Sequence, residues 1–187
     1  MTQQRRRDAA ATKQAILHAG VEAFTRHGYD GVGVRDIAQA AGVTAMLVNR
    51  YFGSKEGLFA AVVEASMADR TVLTSDPATL ARDVAVALVH RTAPGADHLS
   101  PFLLMLRSAP NPRAAEILRA GIENHVKAHL LGVAPQLRDT DRAAMMLAVI
   151  AGFWLMRKVI CDTALNSTDE TVLTRTLEQL FTVLVDP

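Results

Sequence analysis

The sequence holds one cysteine, Cys161, so no internal disulfide can form. It lacks a recognisable leader, because Arg5, Arg6 and Arg7 are not followed by the apolar stretch of a secretory signal, and a cytoplasmic protein is expected. The longest apolar run, 143–156, falls short of the roughly 20 residues needed to cross a bilayer and reads as a helix buried on all sides. Sustained strand alternation between hairpin turns is missing, as are internal repeats and low-complexity tracts. Enzyme signatures are missing too. Gly28, Gly31 and Gly33 have the wrong order for a dinucleotide loop and follow a helical pattern, and neither a nucleophile elbow nor a phosphate loop occurs. No enzymatic activity and no cofactor are therefore expected. Cys161 has no motif around it and reads as a buried small hydrophobe. His125 and His129 stand one helical turn apart, a spacing that suits a metal, but no third ligand accompanies them and no metal is expected.

What is present is apolar and helical. Half of the 187 residues are hydrophobic and 21 % are charged, which places the chain among globular proteins. The net charge of +1 hides an asymmetry: residues 1–60 carry 8 Lys and Arg against 5 Asp and Glu, the remainder 12 against 14. A basic head on a slightly acidic body suits a polyanionic partner. Asp76-Pro77, Ser100-Pro101 and Asn111-Pro112 each put a capping side chain before a proline suited to the first helical position. Ser167 and Glu170 have capping-box spacing ahead of Leu173, Leu177, Leu180 and Leu184, and Gly28, Gly95 and Gly132 sit where helices stop. The pattern predicts an all-α protein of about nine helices, over 12–27, 34–41, 45–51, 55–74, 77–92, 101–108, 112–131, 141–162 and 168–185, with residues 1 to about 10 flexible.

Between Val34 and Tyr51 the pattern becomes specific. Val34, Ile37, Ala38 and Ala41 share one face of a two-turn helix; Gly42 suits a left-handed turn, Val43 plugs the angle, and Thr44 can cap a second short helix. This is a helix-turn-helix, with Val48 facing inward and Ala38 small where the helices cross. Thr44, Ala45, Met46, Leu47, Asn49 and Arg50 then face outward, where apolar groups can meet thymine methyls and Asn49 and Arg50 can reach base edges in the major groove of double-stranded DNA. Arg35, Tyr51, Ser54 and Lys55 offer donors suited to phosphates.

Residues 12–63 as a whole resemble the tetracycline-repressor (TetR) family of bacterial regulators. The resemblance rests on Phe24, His27, Gly28 and Tyr29, then Val34-Arg35-Asp36-Ile37-Ala38, Gly42-Val43-Thr44, Tyr51-Phe52, Ser54-Lys55-Glu56 and Leu58. It implies an all-helical homodimer, a ligand cavity in the body, and repression of a palindromic operator relieved by a small effector. Two positions depart from the family's pattern: Asn49 stands where a phosphate-contacting tyrosine is frequent, and Met46 where a small residue or proline is common.

On this reading residues 1–60 form the DNA-binding domain and 61–187 a helical domain for effector binding and dimerisation. The last two helices carry the most apolar surface, and Ala148, Gly152, Leu155, Met156 and Val159 with Leu173, Leu177, Leu180, Phe181 and Leu184 are the expected four-helix dimer interface. An apolar effector pocket is expected among Phe102, Met105, Leu106, Ile122, His125, Val126, Met145, Val149 and Phe153, since methionines and aromatics make adaptable walls.

Overall fold

The computed structural model describes residues 2–68, 76, 78–95, 101–127, 130, 132, 134 and 141–185. Among these no strand occurs, and the all-α expectation holds. The helices are α1 (Thr2–His27), α2 (Val34–Ala40), α3 (Ala45–Phe52), α4 (Lys55–Ala68), α5 (Leu80–Thr92), α6 (Pro101–Ser108), α7 (Pro112–Gly121), α8 (Asp141–Trp154), α9 (Thr163–Ser167) and α10 (Glu170–Val185). α7 and α8 run on into π-helical turns over Ile122–Lys127 and Leu155–Val159.

The chain forms two compact units, Met1–Arg70 with Leu99–His125, and Thr71–His98 with Val126–Pro187. These packing units are cut differently from the functional division expected at residue 60, because α6 and α7 pack on α1 and α4. In the first unit α1 lies against α2, α4 and α6, and the core is built from Ile16, Phe24, Ile37, Val48, Leu58, Phe59, Val62 and Leu104. Phe24, Tyr29 and Phe59 form its aromatic centre, with the Phe59 ring edge-on to both others at 5.0 Å between centroids, a geometry that suits ring quadrupoles.

Polar contacts fasten α6 and α7 to the end of α1 and the start of α4. The Arg107 guanidinium donates to the carbonyls of Thr25 (2.7 Å) and Arg26 (2.9 Å), which lie in the last turn of α1 and lack onward helical partners. Gly28 ends that helix at φ +70°, and a Cβ there would lie 2.3 Å from the Arg107 carbonyl oxygen. Conformation and close approach both demand glycine. Asn111 caps α7 by accepting from the N–H groups of Arg113 and Ala114, and donates to the Asp30 carboxylate at 2.9 Å. Arg113 bridges Glu56 at 3.0 Å and Glu116 at 2.6 Å.

In the second unit α5 runs along α10, and Leu80, Val84 and Leu88 are buried together with Leu173, Leu177, Phe181 and Val185. Both sets recur every four residues, one stripe per helix. Arg157, almost wholly buried, donates to the Val89 carbonyl (2.8 Å), the Thr92 hydroxyl (3.2 Å) and Glu170 (3.2 Å), tying α8 to α5 and α10.

Several expectations are corrected. α1 begins at Thr2, so residues 2–10 are helical; their glutamines, arginines and alanines are strong helix formers. α5 begins at Leu80, after a turn in which Asp76 accepts from the Ala78 N–H. The Ser167–Glu170 capping box does not form: Ser167 donates back to the Ala164 carbonyl, and Asp169 accepts from the Thr171 N–H. The helix expected to end at residue 162 ends earlier, because Cys161 takes φ +59° and Asp162 caps the added helix α9 through the Leu165 N–H. Cys161 is exposed and not buried. Residues 143–156 are not buried on all sides either, since Met145, Ala148, Gly152 and Met156 face solvent. Residues 69–75, Pro77, Ser100, His129 and the end of the helix expected to reach residue 131 lie outside the described residues.

Candidate nucleic-acid interface

α2 and α3 are joined by a tight turn. Its hinge is Gly42 at φ +66°, whose N–H donates to the Gln39 carbonyl at 3.0 Å, while the Val43 N–H reaches the Ala38 carbonyl at 2.9 Å. These bonds satisfy carbonyls at the end of α2 in the manner of a left-handed helix cap. The Asp36 carboxylate turns back to the Gly33 N–H at 2.9 Å and fixes the start of α2. Thr44 has the extended backbone of an N-cap to α3, but its hydroxyl makes no capping bond.

Ile37, Ala38 and Val48 are fully or almost fully buried, and they fix which face of α3 turns to solvent. On that outer face Met46 is 77 % exposed. Arg35, Thr44, Asn49 and Arg50 are exposed, while Ala45, Leu47, Tyr51 and Lys55 are half-buried at the rim. All nine residues assigned to DNA from the sequence therefore reach the surface, eight of them within the segment Thr44–Lys55, which spans α3 and the start of α4.

Three features of the site escaped the sequence reading. The Lys55 ammonium lies 4.5 Å from the centroid of the Tyr29 ring, so a cation–π contact to the core aromatics holds the rim lysine in place. Burial, then the carboxylates of Glu56 and Asp30, push the Tyr29 phenol above its ordinary range, and the ring stays neutral beneath the cation. Ser54 accepts from the Gly57 N–H at 3.1 Å and so caps α4, and Gly57 is obligatory because a Cβ there would overlap the Phe52 carbonyl. Ser-x-x-Gly at a helix start is a weak signal, and no local pattern announces a Tyr29–Lys55 pair.

The residues expected around an effector divide between the two units: Phe102, Met105, Leu106, Ile122 and His125 in the first, Val126, Met145, Val149 and Phe153 in the second. Most are half-buried, whereas Met145 and Leu106 are exposed. A cleft of about 600 Å³ inside the second unit is lined by other residues, among them Thr92, Arg157, Lys158, Cys161 and Asn166.

The proposed dimer residues also divide. Ala148, Gly152, Met156, Val159 and Leu180 are exposed, and Leu155 and Leu184 half-buried. Leu173, Leu177 and Phe181 are corrected to intrachain core, since their side of α10 is covered by α5. The exposed apolar side of α10 is formed by Val172, Leu180 and Val183, the last 72 % exposed.

Comparison with known proteins bears on this arrangement. The sequence profile described as bacterial regulatory proteins, tetR family, matches residues 16–62, and that described as tetracyclin repressor-like, C-terminal domain, matches 78–185. The HTH-type transcriptional regulatory protein RaaS of Mycobacterium tuberculosis is 58 % identical over 53 residues, 28 % of this chain and 24 % of that protein. The HTH-type transcriptional repressor SCO4008 of Streptomyces coelicolor is 41 % identical over 66 residues, 35 % of this chain and 34 % of its own. The aligned part of the chain thus spans about a quarter to a third of the length of these relatives. The fold resembles that of the multidrug binding protein EbrR, complexed with ethidium in its crystal structure, with a TM-score of 0.67 and 22 % identity, covering 94 % of this chain and 99 % of that one. With the second profile alone spanning more than half of its residues, the chain belongs to the TetR family of bacterial regulators.

Proposed function

We propose that this protein is a transcriptional regulator that binds a palindromic DNA site as a homodimer and releases it when a small, largely apolar effector binds. The observation that carries the reading is the outer face of α3: a methionine 77 % exposed beside exposed Asn49 and Arg50, on a helix whose opposite side is anchored by Val48. Water is a poor surrounding for Met46, whereas a major groove offers thymine methyls to it and base-edge acceptors to Arg50. Arg35, Tyr51 and Lys55 at the rim supply phosphate contacts, which set register without reading sequence.

Two half-sites require two heads at the roughly 34–36 Å spacing of successive major grooves. The exposed apolar residues of α8 and α10 support self-association, because such a surface rarely stays bare on a soluble protein. The contacts of Arg107, Asn111 and Arg113 support the signalling step: a ligand that prefers a displaced α6 or α7 would shift the population of head orientations. The repressor and effector assignments are supported by the family and by two similar proteins, the transcriptional repressor SCO4008 and the multidrug binding protein EbrR. A bacterial regulator that acts on DNA works in the cytoplasm, the compartment proposed for this protein.

The deciding experiment is selection of bound duplexes from random sequence, followed by screening of apolar compounds for release. Recovery of an inverted repeat and dose-dependent release are expected. Failure to enrich any duplex would overturn the reading.

A further inference from the structure

The part of the head that matches the family profile, residues 16–62, is electrically neutral: Arg26, Arg35, Arg50 and Lys55 are balanced by Glu22, Asp30, Asp36 and Glu56. The whole basic excess of the head lies before it, in Arg5, Arg6, Arg7 and Lys13 against Asp8. Affinity for a duplex depends largely on cations that replace condensed counterions, and a neutral head is poorly equipped to supply them.

Among the described side chains, this stretch contributes nothing to the buried core. It is the N-terminal part of α1, and from Arg7 to Ala15 no residue is buried; the first core residue is Ile16. At 1.5 Å per residue, the helix before Ile16 is about 20 Å long. Its position relative to the recognition helix is given by Lys13, whose ammonium lies 5.7 Å from the Phe52 ring at the C-terminal end of α3. The basic helix therefore leaves the head beside the last turn of the element that faces DNA.

We infer that the N-terminal extension of α1 is a second DNA-binding element, in which Arg5, Arg6 and Arg7 neutralise backbone phosphates flanking the base pairs read by α3. The inference rests on the proposed DNA-binding function. It assigns sequence reading and electrostatic affinity to different parts of the chain: α3 reads, and the extension of α1 holds.

The test uses the full-length protein and the duplex recovered by selection with the wild type. Binding is titrated between about 50 and 200 mM salt for wild type, R5Q/R6Q/R7Q and R5K/R6K/R7K. The glutamine variant should lower the slope of log affinity against log salt by about 0.9 for each arginine removed, so by about 5 for a dimer. The lysine variant should keep the wild-type slope. Helicity and melting temperature should be unchanged in both, since glutamine and lysine are helix formers comparable to arginine, and the preferred base pairs should stay the same. Equal slopes for all three proteins would overturn the inference and leave the helix-turn-helix and its rim as the whole interface. Altered base preference in the glutamine variant would overturn the phosphate assignment in favour of groove reading. If the wild type binds no duplex, the proposed function fails, a result distinct from equal slopes.

Discussion

Replacing Arg107 tests how firmly α6 is fixed to the DNA-binding head. Its guanidinium makes two bonds, at 2.7 and 2.9 Å, to carbonyls in the last turn of α1, and Arg107→Ala removes both while leaving α6 itself a good helix. A hydrogen bond from a charged donor contributes about 1.5–3 kcal/mol when desolvated. This side chain is exposed overall, so water replaces part of the loss, and about 1.5–2 kcal/mol in total is the expected destabilisation. Arg107→Lys should recover less than half, because an ammonium lacks the fork that spans two carbonyls. Gly28→Ala, on the other side of the same contact, should cost more than Arg107→Ala: it adds a strained φ to a Cβ 2.3 Å from a backbone oxygen that cannot rotate away. Urea unfolding supplies the free energies, and amide exchange across residues 24–30 shows whether the loss is local. An Arg107→Ala protein as stable as wild type within about 0.3 kcal/mol, with unchanged exchange at the end of α1, would refute the reasoning.

Other expectations follow from the same geometry. Lys55→Ala should weaken binding about equally on all duplexes and lower the salt slope by about 1 per contact, whereas Arg50→Ala and Asn49→Ala should cost about 1–3 kcal/mol on the preferred site and less on scrambled DNA; fluorescence anisotropy on both duplexes decides. Leu180→Glu with Val183→Glu should turn a sedimenting dimer into a folded monomer, and a dimer that survives both would place the interface elsewhere. Phe181→Ala should instead cost about 3–5 kcal/mol in urea unfolding, because that ring is fully buried. Arg157→Leu should cost about 2 kcal/mol by leaving the Thr92 hydroxyl and Glu170 without that donor, read in the same assay.

The helix-turn-helix was legible because every decision in it is local. Gly42 announces a left-handed turn, Val48 and Ile37 the buried face, and Met46 is left outside by spacing alone. Helix starts marked by proline were legible where the neighbouring side chain truly caps, as at Asn111, and misplaced where a turn intervenes, as between Asp76 and Leu80. α10 shows the limit. Periodicity identified Leu173, Leu177, Leu180, Phe181 and Leu184 as apolar, but an amphipathic helix buries whichever side its own chain covers first. α5 takes Leu173, Leu177 and Phe181 and leaves Leu180 and Val183 in water. Which side that is depends on contacts about 90 residues apart in sequence, which no window of one helix contains. The break at Cys161 was illegible for a related reason, since a non-glycine residue at φ +59° has no sequence signature.

The two sets of exposed apolar residues carry different information, and charge separates them. On α3, Met46 shares the exposed surface with Asn49 and Arg50, an amide donor and a cation, and the helix carries no acid. An apolar atom set among donors fits a surface that is itself apolar in patches and negative elsewhere, as a major groove is. Val183 lines a shallow groove along α10 with Arg175, Glu178, Gln179 and Thr182, which carry both charge signs. A mixed rim around aliphatic groups suits a second protein surface and repels a polyanion at Glu178. Both patches look alike in a hydropathy profile. The charges beside each one support the proposal that the first patch meets nucleic acid and the second a protein surface.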